Sequence, residues 1–163
     1  GLDAAIARAA ASRIAPSAPI GFSTLLELPP RMREAQARFG DTGGIHAAAL
    51  FDREGALLDV AEDVGRHNAF DKLVGRALLD GRLPLQDRIV LLSGRASFEL
   101  VQKALRAGVA FLAAIGAPSS LAVNLAESTG LTLVGFLRER HCNVYAHPER
   151  LRAPAPPAPH RTV

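Results

Sequence analysis

The feature that most constrains the fold is an alternation of short apolar runs with amphipathic segments between residues 66 and 137. In the amphipathic segments apolar side chains recur three to four residues apart, which is helical spacing. Runs that are apolar throughout are typical of strands in a sheet covered on both faces, with the helices as right-handed crossovers. The pattern predicts an α/β fold with parallel strands. The predicted helices are 66–79, 98–107 and 120–128, and the predicted strands are 88–92, 109–115 and 131–137.

A predicted hairpin precedes this alternation. The apolar runs 45–51 and 57–61 flank a polar turn that contains Gly55. Two apolar runs joined by a short polar turn with a glycine are typical of an antiparallel β-hairpin. The sheet is therefore expected to be mixed, with an N-terminal antiparallel hairpin strand followed by parallel strands.

The composition indicates one domain with its own core. The chain has 163 residues, of which 48% are hydrophobic and 21% charged. Folding at this length buries about two-thirds of the surface of the unfolded chain, so no metal or disulfide is needed for stability. The expected regions are a helical N-terminal segment packed on the core, the α/β core, and a Pro/Ala-rich tail expected to be disordered or extended. They cover residues 1–40, 41–150 and 151–163.

The N-terminal segment is expected to hold two helices. The first covers 2–11, and the second opens at Pro29-Pro30 and ends near Phe39, because proline favours the first turn of a helix. Residues 12–23, with two prolines and a glycine, are expected to form a loop. Since the sequence starts at Gly1 and its single methionine is internal, the true N-terminus is expected to be missing.

Charge and cysteine content exclude several classes of protein. The net charge of +3 is too small and dispersed for a protein that coats nucleic acid. The longest apolar runs fall short of the roughly 20 residues that span a bilayer, and no signal peptide is visible, so no membrane partner is expected. One cysteine permits no intrachain disulfide and no zinc site with two cysteines, which fits a reducing cytoplasm.

Polar, glycine-bearing segments follow the predicted strands. Ligands of open α/β sheets bind outside the carboxyl ends of the parallel strands, and the antiparallel first strand carries its own beginning to that same edge. Glycines beside helix starts let backbone N–H groups approach a ligand, and the helix dipole favours an anion such as phosphate or pyrophosphate. The candidate binding residues are Thr42, Gly43, Gly44, His46, Asp63, Gly65, Arg66, His67, Asn68, Ser93, Gly94, Arg95, Ser97, Ala117, Pro118 and Ser119.

Each of these segments also has a purely structural interpretation. Ser97, like the serines before the third helix, suits a helix N-cap. Asp63 can satisfy backbone N–H groups at a helix start, with His67 facing solvent or paired with Asp71 one turn on. His46 can equally be a hydrogen-bonded core histidine.

Cys142 lies in a predicted short final strand, residues 140–145. A free cysteine in a strand is usually a small buried hydrophobe. A reactive thiolate needs an electropositive setting at the ligand edge, and only Arg140 and His141 supply charge nearby. A structural role is therefore the favoured interpretation.

Five motifs together resemble the FdhD/NarQ family, the formate dehydrogenase accessory sulfurtransferases. Five motifs in the right order and spacing are far more specific than any single glycine pattern, and the resemblance covers about residues 1–145. The motifs are TGGIHAAALF at 42–51, EDVGRHNAFDKLVG at 62–75, SGRASFELVQKA at 93–104, APSSLAVNLAESTGLTLVGFLR at 117–138 and NVY at 143–145.

The resemblance implies a cytidine-deaminase-like three-layer α/β/α sandwich and a homodimer. It also implies a sulfur carrier that takes persulfide sulfur from a cysteine desulfurase. The sulfur would pass to the molybdenum bis(molybdopterin guanine dinucleotide) cofactor before this cofactor enters formate dehydrogenase. The cofactor would be the bound client at the sheet edge, with GDP or GMP as mimics.

The family carries its sulfur on a Cys-x-x-Cys loop, which the resemblance places immediately upstream of Gly1. No catalytic residue is therefore expected in the chain itself. Zinc deaminases share the implied fold but need His-x-Glu or Cys-x-Glu at one helix start and Pro-Cys-x-x-Cys at the next. Here those helix starts read GRHN at 65–68 and SGRAS at 93–97, so deaminase chemistry is rejected and no metal is expected.

Two alternatives to sulfur transfer stay open at the level of the sequence. One is a chaperone that binds the pterin cofactor without moving sulfur. The other is a nucleotide phosphate-ester enzyme, which needs a general base near the phosphate such as His67 or His46.

Overall fold

The computed structural model describes residues 14–38 and 45–153. The predicted helix 2–11 and the stretch 154–163 of the predicted tail lie outside the described residues. In the described part the elements in chain order are β1 (Ile20–Gly21), α1 (Phe22–Arg38), β2 (His46–Phe51), β3 (Leu57–Asp63), α2 (Arg66–Leu79), β4 (Ile89–Leu92), α3 (Phe98–Arg106), β5 (Phe111–Ala114), α4 (Ser120–Thr129), β6 (Thr132–Gly135), β7 (Asn143–Ala146), a short 3₁₀ helix (Pro148–Arg150) and β8 (Leu151–Arg152).

The main sheet has six strands in the order β3-β2-β4-β5-β6-β7. Strand β2 runs antiparallel to β3 and β4, whereas β4, β5 and β6 are parallel, and β7 returns antiparallel to β6. Every residue of β4, β5 and β6 is buried, as expected for strands covered on both faces. The predicted mixed α/β class is confirmed.

Helices cover both faces of this sheet. On one face α2, α3 and α4 contribute Phe70, Leu100 and Leu125 to a large buried cluster. On the other face α1 packs Leu28 and Met32 in a second cluster that includes side chains of β2 and β5. The sheet therefore separates two apolar layers. Because helices cover both faces, a ligand has access to the sheet at the loops along its edges.

The turn of the hairpin between β2 and β3 is held by Asp52. Its carboxylate Oδ1 accepts hydrogen bonds from the backbone N–H groups of Glu54 and Ala56, each at 2.9 Å. Gly55 adopts φ +87°, a left-handed conformation that favours glycine. The predicted polar turn thus directs β3 back along β2.

Helix α1 differs from its predicted bounds. It begins at Phe22 rather than at Pro29, and it continues through Pro29 and Pro30 to Arg38. The predicted loop over 12–23 therefore ends earlier, where Ile20 and Gly21 form β1. The apolar positions 25, 28, 32 and 35 are all buried at helical spacing, and this packing outweighs the local preference of proline for a helix start.

The beginning of the predicted tail also differs from expectation. Leu151 and Arg152 form β8, which pairs in parallel with β1. Arg150 beside them is only 4% exposed. Its guanidinium donates hydrogen bonds to the backbone oxygens of Ala15 and Gly130 and to the Ser17 hydroxyl. This buried cation links the chain before β1 to the end of α4.

Over the ranges that the structure describes, the search for a helix both long and apolar enough to cross a membrane finds no candidate.

Candidate functional site

The candidate binding residues fall in four segments, 42–46, 63–68, 93–97 and 117–119. The strand register brings the last three to one edge of the sheet. His46 at the start of β2 pairs with Asp63 at the end of β3. Leu92 and Ala114, at the ends of β4 and β5, are register partners. The segments 63–68, 93–97 and 116–120 therefore lie along one edge with His46, and we call this set the rim. Thr42, Gly43 and Gly44 lie outside the described residues.

The junction after β4 fits closely against the start of β2. Ser93 donates its backbone N–H to the Ala47 carbonyl at 3.0 Å, and the Ser93 hydroxyl accepts from the Ala47 N–H at 2.8 Å. A Cβ added at Gly94 would lie 3.2 Å from Nδ1 of His46, which is tighter than ordinary contact. Glycine at position 94 thus lets the backbone pass directly beside the His46 ring.

Two rim segments continue the parallel ladder beyond β4 and β5. Gly116 donates its N–H to the Gly94 carbonyl at 3.0 Å, and Ala96 donates to the Ala117 carbonyl at 3.2 Å. Pro118 pairs with Ala96 as an isolated parallel bridge. A Cβ added at Gly116 would lie 3.0 Å from backbone atoms of the Gly94 segment. The two loops are therefore held rigidly together, as a preorganised binding edge requires.

The three helices that start at the rim are capped differently. Ser97 caps α3 and Ser119 caps α4, because their hydroxyls accept from the N–H groups of Leu100 at 3.3 Å and Ala122 at 3.1 Å. These contacts support the N-cap interpretation of both serines, although each hydroxyl hydrogen can still donate to a ligand. Helix α2 follows Gly65, and among the described residues no side chain caps its start. The first N–H groups of α2 are thus left for an anion.

Asp63 organises the loop before α2. Its carboxylate accepts from Lys72 Nζ at 2.8 Å and from the Gly65 N–H at 2.9 Å. The Lys72 hydrogen bond, followed by those from Gly65 and Asn68, lowers the pKa of Asp63 to about 2. The structural interpretation of Asp63 is supported by these contacts, and a carboxylate that stays ionised would repel a phosphate placed directly on it.

The rim carries two arginines with free donors. Nε of Arg66 is buried and has no hydrogen-bond partner in the described structure. Arg95 is exposed, and within the described ranges no ion pair engages its guanidinium. Asp71 forms its ion pair with Lys103 at 2.8 Å rather than with half-buried His67. These side chains supply cationic donors beside the open start of α2.

Sequence reasoning missed two exposed apolar side chains at the rim. Val64 lies between Asp63 and Gly65 and is 82% exposed, and Leu121 in the first turn of α4 is 42% exposed. The sequence signal that could have revealed them is an apolar residue within or beside an otherwise polar strand-to-helix junction. Their exposure offers a surface on which the flat face of an aromatic base can pack.

Cys142 lies just before β7 rather than inside a strand. It is half-buried and packs against the apolar cluster on the α1 face of the sheet. Burial raises the pKa of its thiol, which lowers the fraction present as nucleophilic thiolate. In the ranges described, no group of three or more His, Cys, Asp or Glu side chains could hold a metal ion.

The structure is that of a mixed α/β protein with a candidate binding edge at the carboxyl ends of its parallel strands. Glycine-bearing loops, the start of α2 and two arginines without an ion pair in the described part of the chain meet there. The FdhD/NarQ family matches residues 2–152 of the sequence. The chain belongs to this family.

Several relatives are named sulfur carrier protein FdhD. The protein of that name from Streptomyces avermitilis is 64% identical over 127 residues, which are 78% of this chain and 45% of the relative. The one from Mycolicibacterium paratuberculosis is 54% identical over 143 residues, which are 86% of this chain and 53% of the relative. The chain thus spans about half the length of the curated relatives it matches.

A solved structure shares the fold. It is the crystal structure of a protein from Desulfotalea psychrophila described as a formate dehydrogenase accessory protein. The TM-score is 0.77 at 32% sequence identity, and the match covers 86% of this chain and 62% of the other. The shared fold therefore covers most of this chain.

Proposed function

We propose that the chain is the cofactor-binding body of a sulfur carrier and that its rim binds the guanine dinucleotide arms of the molybdenum bis(molybdopterin guanine dinucleotide) cofactor. In this proposal the client enzyme is a formate dehydrogenase, and the sulfur comes from a cysteine desulfurase. The relatives named sulfur carrier protein FdhD support the proposal that the protein carries sulfur. The description of the Desulfotalea psychrophila protein as a formate dehydrogenase accessory protein supports formate dehydrogenase as the client enzyme. We also propose that the fold is a cytidine-deaminase-like three-layer sandwich.

The observation that carries the proposal is the start of α2, which no described side chain caps, beside two arginines that form no ion pair within the described ranges. A pyrophosphate group needs several N–H donors and a cation at close range. Helix α2 offers uncapped N–H groups, Arg66 offers a buried Nε without a partner, and Arg95 offers an exposed fork of donors. The residues present therefore fit a phosphate-bearing group.

The other rim residues have distinct roles in this proposal. Gly94 and Gly116 permit close approach of the two loops, and His46 lies against Gly94 where its ring can contact the same ligand. Val64 and Leu121 border the edge where a guanine base would pack. The cofactor supplies the molybdenum chemistry when bound, whereas the chain binds and orients it.

Sulfur transfer needs an accessible thiolate. The terminal sulfur of a donor persulfide moves to the attacking thiolate, which becomes the persulfide while the donor leaves as a thiolate. Cys142, half-buried and with its pKa raised by burial, is poorly suited to this step. We therefore assign the sulfur to a thiol other than Cys142. The same observation favours a second candidate function, a chaperone that binds the cofactor without transferring sulfur.

The proposal is tested by calorimetric titration of the chain with GDP. Arg95→Ala should weaken binding roughly tenfold to a hundredfold, because a charge-assisted contact to phosphate contributes on the order of 1.5–3 kcal/mol. Arg95→Lys keeps the charge without the fork and should lose less. The matched control is Arg106→Ala, an exposed arginine in the last turn of α3, the helix that follows the Arg95 loop. Equal affinities for the wild type and the Arg95 variants would remove Arg95 from the site.

A further inference from the structure

Two basic side chains tie helix α2 to the edge strand β3 in the same way. Arg76 donates to the Asp59 carboxylate at 3.2 Å and to the backbone carbonyl of the next residue at 3.0 Å. Lys72, one turn nearer the start of α2, donates to the Asp63 carboxylate at 2.8 Å and to the backbone carbonyl of the preceding residue at 3.0 Å. The Lys72 and Arg76 side chains are 49% and 51% exposed, so the two pairs are closely matched.

The two pairs differ in their distance from the rim. Asp63 is the last residue of β3, and its carboxylate accepts from the N–H of Gly65, the residue before α2. A Cβ added at Gly65 would lie 3.7 Å from Oδ2 of Asp63. Asp59 lies four residues back along β3, which is roughly 13 Å of extended chain. Only the carboxylate paired with Lys72 therefore lies beside the start of α2.

Asp63 places a negative charge next to the position proposed for a phosphate. Its lowered pKa of about 2 means that the carboxylate is ionised at neutral pH. Like charges a few ångströms apart repel one another, so an ionised carboxylate without a partner opposes the binding of an anion there. The ammonium group of Lys72 at 2.8 Å offsets this charge.

We propose that Lys72 is a positioning residue for the rim, which acts through Asp63. Its ammonium group offsets the charge of the carboxylate and holds it toward Gly65, so that the start of α2 accepts a phosphate group. This inference rests on the function proposed for the rim and adds a residue outside the predicted set. Two of the three ammonium hydrogens are already donated to β3, which favours action through Asp63 over direct contact with the ligand.

The alternative is that Lys72 only holds α2 against β3. Arg76 makes the same two kinds of contact one turn further along α2, so it would share that purely structural role. Arg76→Met is therefore the matched control for Lys72→Met, because both substitutions remove an ion pair and a hydrogen bond to a β3 carbonyl.

The test is a calorimetric titration of the chain with GDP and with GMP at low ionic strength, where charge effects are least screened. Lys72→Met should weaken GDP binding about tenfold, because it leaves the Asp63 charge without its partner. GMP carries one phosphate group fewer and should lose less affinity. Lys72→Arg keeps the charge and should bind GDP nearly as well as the wild type. Arg76→Met should leave GDP affinity unchanged.

A double variant separates action through Asp63 from direct contact with the ligand. In Lys72→Met/Asp63→Asn the amide oxygen can still accept from the Gly65 N–H, but the negative charge is gone. GDP affinity should therefore return close to that of the wild type. Circular dichroism and thermal unfolding of every variant establish that it is folded.

Three results would overturn the inference while the wild type still binds GDP and the function proposed for the rim stands. The first is unchanged GDP affinity in folded Lys72→Met. The second is an equal loss of affinity in Arg76→Met, which would make both residues structural. The third is a double variant as weak as Lys72→Met alone, which would place Lys72 on the ligand itself. A wild type that does not bind GDP would instead contradict the function proposed for the rim, and the role of Lys72 would fail with it.

Discussion

Asp63 lies at the rim, and its hydrogen bonds define what it does there. Lys72, Gly65 and Asn68 all favour its ionised form, which is why its pKa falls below the ordinary value of 3.8 to about 2. The sequence pattern places Asp63 correctly near the end of a strand. It does not show that Lys72, nine residues on, donates a hydrogen bond to the Asp63 carboxylate. Residue type and position predict that an aspartate lies at an edge, whereas its partners depend on how α2 packs.

The shifted pKa of Asp63 predicts an acid-dependent loss of stability. Because the pKa is lower in the folded than in the unfolded chain, the contribution is fully present above about pH 4 and is lost as the pH falls toward about 2. Thermal unfolding of the wild type and of Asp63→Asn should therefore differ most near neutral pH and converge as the pH falls through this window. A difference that stays constant from neutral to acidic pH would contradict the assignment.

Arg150 is a second residue whose role sequence reasoning did not reveal. It is buried, burial lowers the pKa of its guanidinium, and its donors satisfy oxygens of Ala15, Ser17 and Gly130. In the sequence it is one arginine among many, just before a Pro/Ala-rich stretch. Its burial follows from the pairing of β1 with β8, which local patterns do not predict.

Replacing Arg150 with an apolar side chain should be strongly destabilising. Arg150→Met leaves several buried oxygens without donors, and we expect the free energy of unfolding to fall by about 3 kcal/mol. Urea denaturation measures the change. Arg152→Ala, two residues away and exposed, serves as the control and should cost less than about 0.5 kcal/mol. Equal losses in the two variants would show that burial of Arg150 does not matter.

At the scale of elements, prediction succeeded where one periodicity dominated. Helix α2 has the predicted bounds of 66–79, since Phe70, Leu73 and Ala77 mark one face and Gly65 precedes it. Helix α1 was placed seven residues too late, because Pro29-Pro30 is a strong local start signal. The apolar face of α1 continues across the two prolines, and only its packing on the sheet shows this.

Helix α1 gives a direct prediction about its prolines. Pro30 is exposed within the helix and cannot donate an N–H to the carbonyl one turn earlier. Pro30→Ala restores that donor without opening a cavity, so the free energy of unfolding should rise by about 1–2 kcal/mol. Chemical denaturation compares this variant with Glu34→Ala, an exposed position one turn on. A loss of stability in Pro30→Ala would mean that the helix needs proline at this point.

At the scale of the whole molecule, the sequence predicts the rim better than contacts between residues far apart in the chain. The rim depends on strand direction, which follows from the alternation of strands and helices, so the segments around Asp63, Gly94 and Gly116 could be placed together in advance. The hydrogen bond from Arg33 to Glu139 joins α1 to the loop after β6, across more than a hundred residues of sequence. Contacts at that separation are set by packing of α1, whose start was itself misplaced.

Assembly is tested by sedimentation. The proposed homodimer follows from the family resemblance and from a cofactor with two guanine dinucleotide arms, which suits a two-fold site. The chain at tens of micromolar should sediment with about twice its mass of 17.2 kDa. A single monomeric species at that concentration would count against the dimer.

Sulfur uptake tests the role assigned to Cys142. The chain is incubated with a cysteine desulfurase and radiolabelled cysteine, beside Cys142→Ala, and protein-bound label is counted. We expect both proteins to stay unlabelled, because the thiol is half-buried and its pKa is raised. Label on the wild type that disappears in Cys142→Ala would make this cysteine a sulfur carrier.

The central claim is that the rim holds the phosphates of a guanine nucleotide, and a crystal structure of the chain grown with GDP tests it most directly. The account predicts the diphosphate at the uncapped start of α2, within hydrogen-bonding distance of the Arg66 and Arg95 guanidinium groups. The guanine base of the bound GDP should lie against Val64 or Leu121. A diphosphate bound away from α2, with both rim arginines facing solvent, would contradict the account.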